Sequence, residues 1–127
     1  MTDAKDEKLD QGMRMRRTVL GDAYVDQAVA KRSAFTGDFQ DLLTRYAWGE
    51  VWTRPGLDRR TRCCITVAML VALNRDEELA LHVRAALDNG VSVEELKEVL
   101  LQSAVYAGIP AANAAFRVAS DVIARRS

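Results

Sequence analysis

The segment Leu79-Ala-Leu-His-Val-Arg-Ala-Ala-Leu-Asp-Asn-Gly90 decides the fold, because its apolar residues recur at helical spacing. The residues that share one stripe, spaced i, i+3, i+4, i+7 and i+8, are Leu79, His82, Val83, Ala86 and Leu87. Asn89-Gly90 is typical of a helix end, since glycine readily adopts a left-handed backbone. The pattern predicts an amphipathic helix with the only histidine of the chain on its buried stripe.

His82 is the side chain in this helix that can gain or lose a proton near neutral pH. Two interpretations are open for a histidine on a buried stripe. It can be an inert core residue bonded to a backbone carbonyl, as most buried polar groups are. It can also be an acid or base that serves a reaction. The helix alone favours the inert interpretation. The choice between an inert and a catalytic histidine therefore depends on residues elsewhere in the chain.

Further helices are predicted on both sides of this segment. The run Cys63–Leu73 is apolar all round apart from Thr66, which predicts a central helix buried on every side, with Asp58 as its N-cap. Ser92 and Glu95 form a capping box that opens the next helix. Gly108-Ile-Pro110 separates it from an alanine-rich last helix. Strand-like alternation is absent, so the fold class is all-α, with six or seven helices.

The N-terminal part of the chain reads as a loose terminus over residues 1–8 and a charged helix from about Leu9 to Leu20. Gly21-Asp22 breaks the pattern, and a short helical piece follows. A basic cluster lies in the charged helix: Arg14, Arg16 and Arg17. Such a cluster can be an anion site, but a solvated helix face is the favoured interpretation.

The segment from about Thr36 to Trp52 predicts the first long core helix. The residues that share one face at helical spacing are Phe39, Leu43, Tyr46, Ala47 and Glu50. A carboxylate on such a stripe must find a partner or keep its proton. Trp48 and Trp52 lie on the opposite face, which predicts an oligomer contact there. The alternative is that the N-terminal helix of the same chain covers the two tryptophans.

Length, charge and composition limit the classes of protein to which this sequence can belong. A chain of 127 residues predicts one domain, taken as 1–127. The balance of 18 basic and 18 acidic residues argues against a general nucleic-acid or anionic-membrane binder. No long apolar run is present and the N-terminus is polar, so we expect a cytoplasmic protein. The adjacent Cys63 and Cys64 fit reduced thiols in that compartment.

The chemistry that these residues permit is narrow. One histidine and two adjacent cysteines do not provide the ligand spacing of a zinc site, so we expect no metal. Phosphate loops and dinucleotide fingerprints are absent. Cys63 and Cys64 lie in an apolar helix, which favours inert thiols. What remains is an acid–base site of His82 and Glu50, beside arginines that can hold a carboxylate: Arg54, Arg59 and Arg62.

Five long strings, in order, resemble the carboxymuconolactone decarboxylase family over about residues 9–125. They are Tyr46–Arg62, Ile65–Asn74, Glu78–Gly90, Glu94–Gln102 and Ala104–Asn113. The wider alkylhydroperoxidase D-like superfamily includes members with Cys-x-x-Cys just before the equivalent histidine. This chain has Arg75 and Glu78 at those positions, which favours the decarboxylase branch over the redox branch.

The resemblance implies an all-helical protomer of the alkylhydroperoxidase D-like type in a cytoplasmic ring-like homo-oligomer, a hexamer. It implies no cofactor, and decarboxylation of 4-carboxymuconolactone to 3-oxoadipate enol-lactone in the protocatechuate branch of the β-ketoadipate pathway. In that reaction His82 would donate the proton, and Glu50 would orient the imidazole or relay its proton. An arginine would hold the carboxylate that the substrate retains, and Tyr106 or a backbone N–H would stabilise the enolate oxygen.

Two rival functions stay open at this point. A thiol-dependent peroxide reductase would lose activity when Cys63 and Cys64 become serine, whereas a decarboxylase would not. A non-catalytic helical module that binds nucleic acid through the Arg59–Arg62 turn would show salt-sensitive DNA retention. The balanced charge makes the second rival the weaker one.

Overall fold

Within residues 3–126, which a computed structural model describes, every regular element is a helix. The α-helices are α1 Ala4–Leu20, α2 Asp22–Ala30, α3 Gly37–Leu43, α4 Arg59–Ala72, α5 Asp76–Asp88, α6 Val93–Ala107 and α7 Ile109–Arg126. A π helix, Thr44–Val51, follows α3 directly. The all-α prediction is therefore confirmed.

Tertiary contacts group the chain into two compact units, Met1–Leu57 and Asp58–Ser127. The first unit contains α1, α2, α3 and the π helix. The second contains α4 to α7. The boundary falls in the turn that follows Pro55-Gly56, a pair of residues typical of tight turns. Whether the two units act as one domain over 1–127 stays a prediction.

The first unit begins earlier than the sequence pattern predicts. Asp3 caps α1, since its carboxylate accepts hydrogen bonds from the backbone N–H groups of Lys5 and Asp6 at 2.7 and 3.0 Å. The expected loose terminus is therefore wrong for residues 4–8, which are helical, and residues 1 and 2 lie outside the described part of the chain. At its other end α1 stops at Gly21, whose φ of 90° ends the helix.

The long helix predicted from Thr36 to Trp52 is split into α3 and the π helix. Its last turn is closed by a bond from the Trp52 N–H to the Ala47 carbonyl at 3.0 Å, an i→i+5 pattern. The predicted core face is wrong: the side chains of Phe39, Tyr46 and Glu50 are exposed. The residues that are buried instead are Thr44, Trp48 and Gly49.

The buried side of the π helix is set by close packing against α1. A Cβ on Gly12 would overlap the Thr44 carbonyl oxygen, and one on Gly49 would lie 2.5 Å from the Lys8 carbonyl oxygen. Glycine at both positions lets the two backbones approach. Trp48 is only 6% exposed and stacks on Trp52, with ring centroids 4.9 Å apart. Trp48 is thus covered within the chain, whereas Trp52 is half-buried, and a role of the two tryptophans in oligomerisation stays a prediction.

In the second unit α4 packs against α5, α6 and α7, and α5 and α6 each pack against α7. The side chains that are at most 2% exposed at its centre are Cys63, Val67, Val71, Leu79, Val83, Ala85, Ala86, Leu96, Leu100 and Ala115. The prediction that α4 is buried on all sides is wrong. One side of this segment is exposed: it carries Ile65, Met69 and Leu73, which are spaced i, i+4 and i+8.

No helix within residues 3–126 is long and apolar enough to cross a membrane.

Candidate active site

His82 lies where the sequence pattern predicts, on the inward stripe of α5. Leu79, Val83 and Ala86 of the same stripe are fully buried, and His82 itself is half-buried. α5 ends at Asp88, and Gly90 follows with φ of 96°. The stripe and the helix end predicted from the sequence are both confirmed.

The Nδ1 atom of His82 is buried and has no hydrogen-bond partner among residues 3–126. An inert core histidine would satisfy this nitrogen with a backbone carbonyl, because an unpaired buried polar atom costs about 1–3 kcal/mol. The inert interpretation is therefore not supported at Nδ1. A buried, unsatisfied imidazole nitrogen is typical of a group that finds its partner in a bound molecule or in another surface.

Burial also sets the protonation state of His82. Desolvation lowers its pKa from the ordinary value of 6.5, and the carboxylate of Glu78, one turn earlier on α5, raises it in part. The imidazole is therefore mostly neutral at neutral pH. An anion that binds beside it would favour the charged form and raise the pKa again.

Two arginines join the start of α4 to the end of α5. The Arg59 Nε–H donates to the Asn89 side-chain oxygen at 2.8 Å. The Arg60 Nε–H donates to the Gly90 carbonyl at 3.1 Å, and its terminal nitrogen pairs with Glu95. Asp58 caps α4 by accepting from the Thr61 N–H at 2.7 Å. Three arginines at the N-terminus of a helix are unfavourable, because the helix dipole is positive there. The carboxylates of Asp58 and Glu95 offset these positive charges.

Of the two predicted carboxylate anchors that lie in α4, Arg59 and Arg62, Arg62 is the closer to His82 in helix register. Because Arg59 lies beside Asn89 in this antiparallel pair, residue 66 of α4 lies level with residue 82 of α5. Arg62 is then one turn, roughly 5–6 Å along the axis, from that level. Its side chain is half-buried. Arg54 is exposed in the first unit, after the π helix.

Glu50 lies on the π helix in the first unit and is exposed, so it is not on a buried stripe as predicted. It lines a cavity of about 400 Å³ with Lys5, Lys8, Arg45 and other residues of that unit. His82 belongs to the second unit. The predicted partnership of Glu50 with His82 stays a prediction.

The two cysteines lie in α4, Cys63 buried and Cys64 half-buried. Burial raises the pKa of Cys63 to about 11, and burial likewise raises the pKa of Cys64. Both side chains are therefore neutral thiols at neutral pH. Since the thiolate is the reactive form, this environment does not favour the peroxide reductase.

An apolar cavity of about 340 Å³ opens between α4 and α6, and sequence reasoning did not locate it. Its lining comprises Cys64, Ile65, Ala68, Ala72, Val99, Gln102, Ser103, Tyr106 and Ala107. A helix that is predicted to be buried on all sides leaves no place for a cavity beside it. The apolar run of α4 does not indicate which of its faces other helices leave exposed. Residues 3–126 contain no group of three or more histidine, cysteine or acidic side chains placed to hold a metal.

The family model described as the carboxymuconolactone decarboxylase family matches residues 37–121. This chain belongs to the carboxymuconolactone decarboxylase family. The match spans the π helix and nearly all of the second unit, and therefore includes every candidate site residue from Glu50 to His82.

Two relatives align with this chain over 90% or more of its length. The chain is 46% identical to 4-carboxymuconolactone decarboxylase of Acinetobacter baylyi, over 92% of this chain and 87% of that protein. It is 41% identical to nitrosuccinic acid decarboxylase npaB of Metarhizium robertsii, over 90% of this chain and 80% of that protein. A 4-carboxymuconolactone decarboxylase of Pseudomonas putida is 48% identical over 35% of this chain. All three names describe a carboxy-lyase.

Proposed function

We propose that the chain is a carboxy-lyase that converts 4-carboxymuconolactone to 3-oxoadipate enol-lactone and carbon dioxide without a cofactor. The observation that carries the proposal is the 46% identity to a 4-carboxymuconolactone decarboxylase across 92% of the chain. The half-buried His82 with its unsatisfied Nδ1 supplies the acid–base group that this reaction requires.

The reaction follows from the structure of the substrate, a five-membered unsaturated lactone with two carboxylates. The bond between the ring carbon and its carboxylate breaks, and the electron pair moves through the C=C bond to the lactone carbonyl. The resulting dienolate is protonated at the carbon next to that carbonyl. Because the lactone carbonyl accepts the electrons, the residues need only hold the substrate, stabilise the enolate oxygen and deliver one proton.

His82 is the proposed proton donor. Its pKa is lowered by burial in the free protein, but a dianionic substrate beside the imidazole would raise that pKa and charge it. The imidazolium can then protonate the dienolate as carbon dioxide leaves. General acid catalysis of this kind contributes about 10²–10⁴ in rate. Glu50 stays the proposed partner that orients the imidazole or relays its proton.

Arg62 is the proposed anchor of the retained carboxylate. Its half-buried position and its register one turn from His82 suit a guanidinium that pairs with a carboxylate in two parallel hydrogen bonds. Arg59, which donates to Asn89, and Arg54 are the other two proposed candidates.

A homo-oligomer, a hexamer by family resemblance, is the proposed working unit. The support within the chain is the apolar surface that stays exposed on α4 and at the residue that caps its C-terminus: Ile65, Met69 and Leu73 are 38%, 60% and 64% exposed. Contiguous apolar patches of this kind mark interaction sites. A cytoplasmic location is proposed because the family resemblance implies it.

Nitrosuccinic acid is a second candidate substrate, favoured by the 41% identity to a nitrosuccinic acid decarboxylase over 90% of the chain. The chemistry is parallel: loss of carbon dioxide from the carbon that bears the nitro group leaves a nitronate, which one proton then neutralises at carbon. Both substrates carry two carboxylates and a built-in electron acceptor. The same arginine and histidine would therefore serve either reaction.

Purified protein, mixed in turn with 4-carboxymuconolactone and nitrosuccinate, tests the proposal. We expect carbon dioxide release from the lactone well above the spontaneous rate, with a higher kcat/KM than for nitrosuccinate. A higher kcat/KM for nitrosuccinate would reassign the substrate within the same reaction class. No release from either compound would show that the proposed function is wrong.

A further inference from the structure

Arg16 is the most deeply buried charged side chain of the first unit, with 6% of its surface exposed. The sequence interpretation, a solvated basic face on α1, is wrong for this residue. One terminal nitrogen of its guanidinium donates to the Gln40 side-chain oxygen at 3.3 Å. Its Nε is buried and has no hydrogen-bond partner among residues 3–126. Removing a guanidinium from water is costly unless an anion or several acceptors replace the water.

The carboxylates that form ion pairs in the first unit pair with arginines other than Arg16. Asp22 and Asp26 accept from Arg17 at 3.1 and 2.8 Å. Asp41 lines a small adjoining cavity of about 110 Å³ that Arg16 also lines, but its two oxygens accept from Arg32 at 2.7 and 3.0 Å. Burial lowers the pKa of Arg16, Tyr24 raises it in part, and the charge of Arg17 lowers it further. Within residues 3–57 the guanidinium is thus a buried cation that forms no ion pair with a carboxylate.

Arg16 lines a second cavity of about 240 Å³ at α1, α2 and the start of α3. The polar residues around it are Arg16, Tyr24, Gln27, Lys31, Thr36 and Gln40. None of these side chains is acidic, and Lys31 forms no salt bridge within residues 3–126. At about 30 Å³ per water molecule, the volume is enough for an anion the size of phosphate or a short dicarboxylate.

We propose that this cavity is a binding site for a small oxyanion, a phosphate or a carboxylate, with the Arg16 guanidinium and the Lys31 ammonium as its charged contacts. The guanidinium offers a planar donor fork that matches two oxygens of either group. The ammonium adds a second positive charge, and the Gln27 amide and the Thr36 hydroxyl add neutral donors at the rim. This site belongs to the first unit and involves neither His82 nor Arg62 of the second.

Isothermal titration of inorganic phosphate and of succinate into the full chain tests the site, with ionic strength held constant by sodium chloride. We expect one anion per chain for the wild type, and an affinity at least 10-fold weaker for Arg16→Gln and for Lys31→Gln. Arg14→Gln is the matched control, because Arg14 is exposed on the same helix and does not line the cavity. Its affinity should equal that of the wild type.

Three results would overturn the proposal. The first is absence of binding by the wild type. The second is binding that Arg62→Lys abolishes and Lys31→Gln leaves intact, since that anion would occupy the active site. The third is absence of binding together with a smaller sedimenting species for Arg16→Gln, since a carboxylate of a second copy would then be the partner of Arg16. If Arg16→Gln fails to fold, Lys31→Gln decides alone, because Lys31 is exposed after the end of α2.

Discussion

At the scale of single residues, His82 has two properties of an acid–base group: its side chain is half-buried, and its Nδ1 atom has no hydrogen-bond partner among residues 3–126. The sequence could predict its position, because the stripe from Leu79 to Leu87 follows helical spacing closely. It could not predict that Nδ1 is left without a partner. Hydrogen bonds of a buried side chain depend on which groups the neighbouring helices bring within about 3 Å, and periodicity carries no such information.

Because burial lowers the pKa of His82 in the free protein, we predict that kcat/KM and kcat fall at different pH values. If imidazolium is the proton donor, kcat/KM falls as pH rises through the pKa of the free protein, which lies below 6.5. The bound substrate's carboxylates raise the pKa, so kcat falls only at higher pH. Steady-state kinetics between pH 5 and 9 measures both. Superimposed profiles, or activity that rises with pH across this range, would rule out His82 as a proton donor charged by its substrate.

Arg62 carries the prediction for carboxylate binding. Arg62→Lys keeps the charge but loses the two-pronged geometry, so we expect kcat/KM to fall about 10-fold or more, near 1.4 kcal/mol of binding. Arg117→Lys, an exposed position on α7, is the matched control and should behave as wild type. If Arg62→Lys keeps wild-type kinetics while Arg59→Lys or Arg54→Lys does not, the anchor is one of the other two predicted arginines.

At the scale of elements, the second unit follows its sequence signals more closely than the first. The Asp58 cap, the Ser92–Glu95 capping box and the glycine ends at Gly90 and Gly108 are all present. These signals are local and act through the nearest turn. The π helix has no comparable signal, because an i→i+5 turn is stabilised by what packs against it. The approach of α1 to Thr44 and Gly49 selects the buried side, which residue spacing alone could not reveal.

That close approach predicts a strong effect of a single methyl group. Gly12→Ala would place a Cβ against the Thr44 carbonyl, so α1 and the π helix would have to separate. Overpacking of this kind costs about 1–3 kcal/mol. Thermal or urea unfolding measures the loss, with Gly56→Ala as control, because a Cβ at Gly56 meets nothing within 4 Å. Equal stabilities for the two variants would contradict the packing described for α1.

At the scale of the whole molecule, the apolar faces that the chain leaves exposed are the feature that sequence patterns could least predict. Periodicity marks a residue as apolar, but it does not say whether the same chain or a second copy covers it. On α4 the run Cys63–Leu73 buries one side in the second unit and exposes Ile65, Met69 and Leu73. On α3 and the π helix, Phe39, at 62% exposed, and Tyr46, at 65%, are likewise uncovered.

The exposed face of α4 carries the prediction for assembly. A charge at its centre, Met69→Glu, should shift the protein from an oligomer to smaller species in sedimentation velocity, because a buried unpaired carboxylate opposes association. Thr61→Glu is the control, since Thr61 is exposed in the first turn of the same helix, where a carboxylate is tolerated. A monomeric wild type would contradict the oligomer. A fully assembled Met69→Glu would place the interface elsewhere.

The most direct test of the central claim is the initial rate of carbon dioxide release from 4-carboxymuconolactone by the wild type and by His82→Asn. Asparagine keeps a polar group in the half-buried site but cannot be protonated. We predict a rate about 10²–10⁴ lower for the variant, with helix content and assembly unchanged. A wild-type rate equal to the spontaneous one, or a folded His82→Asn that releases carbon dioxide as fast as the wild type, would contradict the account.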